Sequence, residues 1–267
     1  MEWKGGIVQA AYDASSPCIA AVVMIGVGTK MNVQDYTELS ELIVKDSNIA
    51  TVVVDHRPGN PFKHAWSSND RGPRTRLAQL VNQIHQNIDA FIHNACHSWI
   101  MVVGGHSGSG LTALETLQDN LTNFTTAAFL GLDPALERLP MLFPYTDFSM
   151  TLPVLVWGFS CNTCLVTQTR GSQAVYARSR SSHRVLYQFQ TNTTNTGHCD
   201  FTNQGCAPVC GLSNRSSIVK LRVAESIRKL VIVLSTPQVG FNRTNLAVAS
   251  RSEVNMYINQ DLLPGTF

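Results

Sequence analysis

Charge is scarce in this chain. Asp, Glu, Lys and Arg together make up 14% of its 267 residues, well below the usual quarter. The formal net charge is only +2 and no block of basic residues occurs. Nothing therefore offers to neutralise a run of phosphates, and a nucleic-acid partner is excluded on that ground. Long apolar runs are missing as well. The longest, Cys18–Val27, has ten residues, which is too short for a transmembrane helix and suits a buried strand. The first residues, Met-Glu-Trp-Lys-Gly-Gly, contain no apolar signal core. Either the protein is cytosolic or a targeting segment is not part of this chain. Internal repeats and long linkers are also lacking. With hydrophobic residues at 44%, the expectation is a single domain over residues 1–267 with a full core.

Ser, Thr and Asn occupy the surface that charge would normally take. Seven cysteines are present: Cys18, Cys96, Cys161, Cys164, Cys199, Cys206 and Cys210. The odd number leaves at least one without an intramolecular disulfide partner. Cys161-x-x-Cys164 and Cys206-x-x-x-Cys210 are only loosely like zinc spacing, and disulfides rank ahead of free thiols and of metal. Disulfides there would pin the loop around Cys199. Asn-x-Ser/Thr sequons begin at Asn120, Asn123, Asn192, Asn214 and Asn242. Together with the cysteines and the low charge they lean towards a secretory route and an oxidising compartment.

Short apolar runs alternate with helical patterns along the chain. Strands are expected at Ala20–Ile25, Ala50–Val54, Trp99–Val103, Thr126–Leu132, Pro153–Trp157 and Arg184–Phe189. Helical spacing occurs over Tyr36–Val44, Arg76–His93 and Ile218–Leu234, and Leu111–Leu117 follows a glycine-rich turn. This alternation predicts an α/β fold with a mainly parallel sheet and helices on both faces. Arg57–Pro73 reads as a surface loop beside a substrate entrance, and Thr236–Phe267 has no clear pattern.

The most informative segment is Met101-Val-Val-Gly-Gly-His-Ser-Gly-Ser-Gly110. An apolar run ends in glycines, a serine follows, and a helix begins directly after it. That is the strand–turn–helix context of a nucleophile elbow, here as G-x-S-x-S around Ser107, with Ser109 where glycine is usual. A serine hydroxyl needs a base to take its proton and a third group to orient that base. In this fold type the chain order is serine, acid, histidine. Only His183 and His198 follow Ser107. His183 precedes a strand, at the wrong end. His198 lies beyond one, in a loop free to reach over the serine, and is the expected base. Asp133 ends the run Thr126–Leu132 and is the expected acid; Glu137, Asp147 and Asp200 are its rivals. An oxyanion hole needs two N–H donors. They are expected from Gly108, directly after the nucleophile, and from Val27 in the glycine loop after the first core strand. His106 is read as a wall of the site and not as the base.

These motifs resemble those of α/β-hydrolases of the chlorophyllase type, over most of residues 15–235. Gly105-His106-Ser107 is similar to that family's elbow. Leu130-Gly131-Leu132-Asp133-Pro134 resembles its strand ending in the triad acid, and Gly197-His198-Cys199-Asp200 its histidine segment. Gly26, Asn32 and Tyr36 are spaced like its glycine, asparagine and tyrosine. Ser109 and Ile25 depart from the family's glycine and frequent histidine. The resemblance implies a serine carboxylic-ester hydrolase acting through an acyl-enzyme, with no metal or organic cofactor. Its implied substrate is a hydrophobic ester, the phytyl ester of chlorophyll, cleaved to chlorophyllide and phytol. A lipase-like or polyester-cleaving esterase is the alternative. A catalytically silent pigment- or lipid-binding protein on the same scaffold is the rival from another class.

Overall fold

Aliphatic runs without alternation need cover on both sides, and the computed structural model supplies it. The structure describes residues 2–3, 6–29, 31–56, 72–135, 151–159, 171–181, 183–189, 197–203 and 217–235. Its strands are β1 (Glu2–Trp3), β2 (Gly6–Tyr12), β3 (Ile19–Gly26), β4 (Ile49–Asp55), β5 (Ala95–His106), β6 (Ala128–Leu132), β7 (Val154–Phe159) and β8 (Arg184–Phe189). They form one sheet in the order β1-β2-β4-β3-β5-β6-β7-β8. β4, β3 and β5 to β8 pair in parallel, and β1 and β2 add an antiparallel edge.

Five α-helices are described: α1 (Thr37–Val44), α2 (Gly72–Gln86), α3 (Gly108–Gln118), α4 (Gly171–Arg178) and α5 (Ser217–Ser235). Alternate residues of a strand face opposite sides, and β3 shows the consequence. Val23 and Ile25 pack on one face with Leu39 and Ile43 of α1 and Val223 and Ile227 of α5. Val22 and Met24 pack on the other with Leu77 and Leu80 of α2, Leu114 of α3 and Val175 of α4. Each fully buried aliphatic side chain contributes about 1.5–3 kcal/mol of transfer free energy. The expected mainly parallel sheet with helices on both faces is the one observed.

Strand β3 has β4 on one side and β5 on the other. The chain thus reverses its direction of travel across the sheet at β3, and the crevice beyond the carboxyl ends of β3 and β5 is the natural place for a ligand. A disulfide between Cys18 and Cys96 ties the opposite ends of the same two strands.

Several boundaries differ from the sequence reading. β5 begins at Ala95, upstream of the expected Trp99, and its register against β3 shifts between Ile19 and Ala21. The helix expected over Arg76–His93 starts at Gly72 and ends at Gln86, followed by a separate 3-10 turn at Ile88–Ala90. Asn87 causes the break. Its backbone leaves the helical region, and its side-chain amide donates to the Gln83 carbonyl at 2.9 Å, competing with the helical pattern. At the front end, Pro73 lies in the first turn, where a missing N–H costs nothing. The rest of the expected loop Arg57–Pro73 is outside the described residues, as are Glu137, Asp147 and Thr236–Phe267. The antiparallel strands β1 and β2 and helix α4 went unrecognised in the sequence. Gly6 carries a signal for β2: a Cβ there would lie 2.2 Å from the Asp55 carbonyl oxygen, so the start of β2 passes the end of β4 at a glycine.

Candidate active site

Ser107 is the residue between β5 and α3, and its backbone is strained. It has φ 56° and ψ −127°, a region that non-glycine residues avoid at a cost of about 1–3 kcal/mol. The surroundings hold it there. Its N–H donates to the Leu132 carbonyl at 3.0 Å, and its own carbonyl accepts from the N–H groups of Gly110 and Ala135, both at 3.0 Å. The turn is tight because strand and helix nearly touch. A Cβ on Gly105 would lie 2.7 Å from the backbone of Ser109, and one on Gly110 would lie 2.8 Å from Pro134. Close approach therefore requires glycine at 105 and 110, not at 109. Ser109 fits because its Cβ sits over Gly26, where a second Cβ would meet it at 2.9 Å. Its hydroxyl donates to the Val27 carbonyl. The departure from the usual elbow motif thus ties the elbow to the loop after β3.

Asp133 follows β6, also at a positive φ, 40°, with its N–H donating to the Trp157 carbonyl at 2.7 Å. Its Oδ2 lies 2.7 Å from His198 Nδ1. Its Oδ1 accepts from the Ser172 hydroxyl at 2.8 Å, with Ser172 near the start of α4. Asp133, His198 and Ser172 are all buried. A carboxylate on Nδ1 leaves Nε2 as the ring nitrogen able to accept a proton. Ser172 went unrecognised because no spacing links it to Asp133. The nearest signal is Gly158, where a Cβ would lie 2.4 Å from the Ser172 hydroxyl, so α4 docks over β7 only at a glycine.

His198 sits in a short turn held from within and from below. The Gly197 N–H donates to Asp200 Oδ2 at 2.6 Å, and the Asp200 N–H to the Gly197 carbonyl at 2.9 Å. Asp200, a rival for the acid, therefore spends this oxygen on its own loop. Phe201 is fully buried against Phe159, with ring centroids 5.3 Å apart, and an aromatic stack continues through Phe189 and Trp157. Cys199 is in a disulfide. Cys161, Cys164, Cys206 and Cys210 lie outside the described residues.

His106, expected as a wall of the site, is fully buried and links three of its parts. Its Nε2 lies 2.9 Å from the His198 carbonyl oxygen and its Nδ1 2.7 Å from the Tyr36 hydroxyl. A carbonyl only accepts, so Nε2 carries the proton and Nδ1 accepts from Tyr36. The Tyr36 oxygen in turn accepts from the Gly28 N–H at 2.7 Å. A Cβ on Gly28 would lie 2.7 Å from His106 Nδ1. The β3 loop, the elbow and the histidine loop are thereby hydrogen-bonded through one imidazole.

The expected residues are not all connected. Among the described residues no hydrogen bond joins the Ser107 hydroxyl to His198. Before substrate binds, catalytic hydrogen bonds are often long. Val27 requires a correction. Its N–H donates to the Val54 carbonyl at 3.0 Å, extending the β3–β4 ladder one residue past Gly26, so it is not aimed at the serine. How far a ladder runs depends on the partner strand, which spacing alone does not reveal. Gly108 opens α3, where N–H groups have no carbonyl partner within the helix. Among the described residues no cluster of three or more His, Cys, Asp or Glu side chains is placed to hold a metal ion. No described helix is long and apolar enough to cross a membrane.

No protein-family model matches the sequence, and no curated protein matches it by sequence. Solved structures do resemble it. An alpha-beta serine hydrolase homologue from Coxiella burnetii is 12% identical, with a TM-score of 0.52 over 83% of this chain and 89% of its own. Est1E from Butyrivibrio proteoclasticus, solved with ferulic acid bound, is 13% identical, with a TM-score of 0.55 over 86% and 96%. A ferulic acid esterase from Streptomyces cinnamoneus is 17% identical, with a TM-score of 0.54 over 87% and 73%. At such identities the likeness is one of fold, and the fold of this chain is that of the α/β-hydrolases.

Proposed function

We propose that the protein is a serine carboxylic-ester hydrolase that works through an acyl-enzyme. The observation that carries this reading is the strained Ser107 at the β5–α3 elbow, beside a buried His198–Asp133 pair joined at 2.7 Å. Strain of that kind persists only where the surroundings over-determine it, and it collects at reactive sites. In the proposed cycle His198 Nε2 takes the Ser107 proton as Oγ attacks the ester carbonyl. Asp133 orients the imidazole and stabilises its positive charge. The Gly108 N–H binds the developing oxyanion. His198 then gives its proton to the departing alcohol, and water repeats the sequence on the acyl-enzyme.

For the substrate, the motif resemblance supports the phytyl ester of chlorophyll. A second reading, an ester of a hydroxycinnamic acid, is favoured by two of the solved structures, one with ferulic acid bound and one a ferulic acid esterase. An active-serine phosphonate probe tests the reaction class: wild type is labelled and Ser107→Ala is not. Labelling that survives the substitution would place the nucleophile elsewhere, and labelling absent from wild type would leave a binding protein on this scaffold; either overturns the mechanism. Release of chlorophyllide from chlorophyll, run beside release of ferulate from its methyl ester, then separates the two substrates.

A further inference from the structure

An oxyanion site at Ser107 needs a second donor beside Gly108, and the β3 loop is the element that reaches it. The backbone of that loop is already committed at its first two positions. The Val27 N–H donates to Val54 and the Gly28 N–H to the Tyr36 hydroxyl. Both bonds hold the loop: one extends the sheet, and the other belongs to the His106 network. Freeing either would undo the support of the site it was meant to serve. The next residue is Thr29, which is exposed. A Cβ built on Gly108 would lie 3.4 Å from Thr29 Oγ1. The hydroxyl thus borders the space that a side chain at position 108 would fill, next to the residue whose N–H is the first donor.

We propose that the Thr29 hydroxyl is the second oxyanion donor, a side-chain group where the sequence reading expects the backbone of Val27. The proposal rests on the serine-esterase reading above. When Ser107 Oγ bonds to the carbonyl carbon, the carbonyl π pair moves onto oxygen and the serine proton goes to His198. The oxyanion then accepts one hydrogen bond from the Gly108 N–H and one from the Thr29 O–H. Thr29 keeps its proton throughout. Collapse returns the pair to the carbonyl and expels the alcohol with the proton from His198. A hydroxyl rotates freely, so this donor turns towards the oxygen as charge develops, whatever the orientation of the ground-state ester.

Thr29→Val removes the hydroxyl and keeps both shape and backbone, and Thr29→Ser keeps the hydroxyl. The probe is a 4-nitrophenyl acyl ester, with kcat and KM measured separately and Ser107→Ala alongside. Loss of one oxyanion donor lowers kcat about 10²-fold. The expected result is that loss in Thr29→Val, with KM within about threefold of wild type, and recovery to near wild-type kcat in Thr29→Ser. Thr29→Val with kcat within about twofold of wild type, while Ser107→Ala is inactive, would overturn the proposal and leave the esterase reading standing. Equal losses in both variants would also overturn it, since a packing role needs no hydroxyl. Full activity in Ser107→Ala would overturn both readings together. Thr29 is exposed, so all variants are expected to melt at the wild-type temperature.

Discussion

Replacing His106 with phenylalanine keeps a flat ring between Tyr36, His198 and Phe201 and removes both ring nitrogens. In the wild type those nitrogens meet the Tyr36 hydroxyl at 2.7 Å and the His198 carbonyl at 2.9 Å. Orphaning the buried His198 carbonyl costs about 1–3 kcal/mol, and the Tyr36 hydroxyl, which keeps the Gly28 N–H, loses one bond of about 0.5–1.5 kcal/mol, so His106→Phe is expected to lose about 1.5–4.5 kcal/mol of stability. Against a total of about 5–15 kcal/mol for a domain, that is a large fraction. Overpacking by the bulkier ring could mimic the loss, so Tyr36→Phe and the double variant are measured as well. Steric cost recurs in His106→Phe and in the double variant and cancels from the cycle, whereas the hydrogen bond is lost only once. Urea unfolding followed by fluorescence and circular dichroism, with disulfides intact, should give a coupling of about 0.5–3 kcal/mol between the two positions. Activity should fall as well, because the bond to the His198 carbonyl helps to set where that ring stands. Additive single losses, or a His106→Phe variant within about 0.5 kcal/mol of wild type, would refute the claim that this imidazole holds the three loops together.

Two further outcomes follow from the site and its scaffold. Ser172→Ala deletes the hydroxyl that donates to Asp133 Oδ1; a bond to a charged acceptor contributes about 1.5–3 kcal/mol, and kcat on a 4-nitrophenyl ester should drop about tenfold with little change in KM. Unchanged kcat would show that the Ser172 bond does not set the carboxylate's position. Far from the site, the Lys220 ammonium on α5 holds the Glu38 carboxyl on α1 below its ordinary value of 4.5. A depressed folded-state value means stability that is present above about pH 4.5 and is lost as pH falls through the lower folded value. The stability gap between wild type and Glu38→Gln should therefore narrow between neutral pH and pH 3 in urea titrations, and a gap that stays constant would contradict the pairing.

Much of the sheet was legible because its strands are short aliphatic runs whose ends carry glycine or aspartate. β8, Arg184–Phe189, is observed with the bounds expected for it, and α5 extends its pattern by one residue at each end. The failures share a cause. β2, next to the edge strand β1, has mixed burial, and its sequence Gly-Ile-Val-Gln-Ala-Ala-Tyr has neither strict alternation nor a continuous apolar run. α4 buries few residues, among them Val175, and so has a weak apolar face. Asn87 ends a helix through its own side chain, in a stretch where Ile84, Ile88 and Ile92 keep a helical spacing on either side. Hydrophobic periodicity reports what an element buries. It is silent where little is buried, and it misleads where apolar residues continue past a break.

The site divides along a different line. Ser107, Asp133 and His198 could be named as candidates because each sits at a strand's carboxyl end or in the loop beyond one, and chain order does the rest. What supports them could not, since support is a matter of which groups meet across the sheet. Ser172 reaches Asp133 from a helix 39 residues away in sequence, and Tyr36 reaches His106 across 70. The Val27 misreading has the same origin. By position in the glycine loop the sequence points to Val27, and it does not reveal what faces Val27, Gly28 and Thr29. They differ only in what faces them: a carbonyl of β4, a tyrosine hydroxyl, and the first residue of α3. Ser109 makes the point from the other direction. Judged by motif it weakens the elbow, yet its hydroxyl holds the Val27 carbonyl. With the carbonyl and the N–H of Val27 both bound, the loop is fixed on both sides of that residue and presents Thr29 to Gly108. A substitution that departs from the pattern is therefore part of what directs the loop towards the nucleophile.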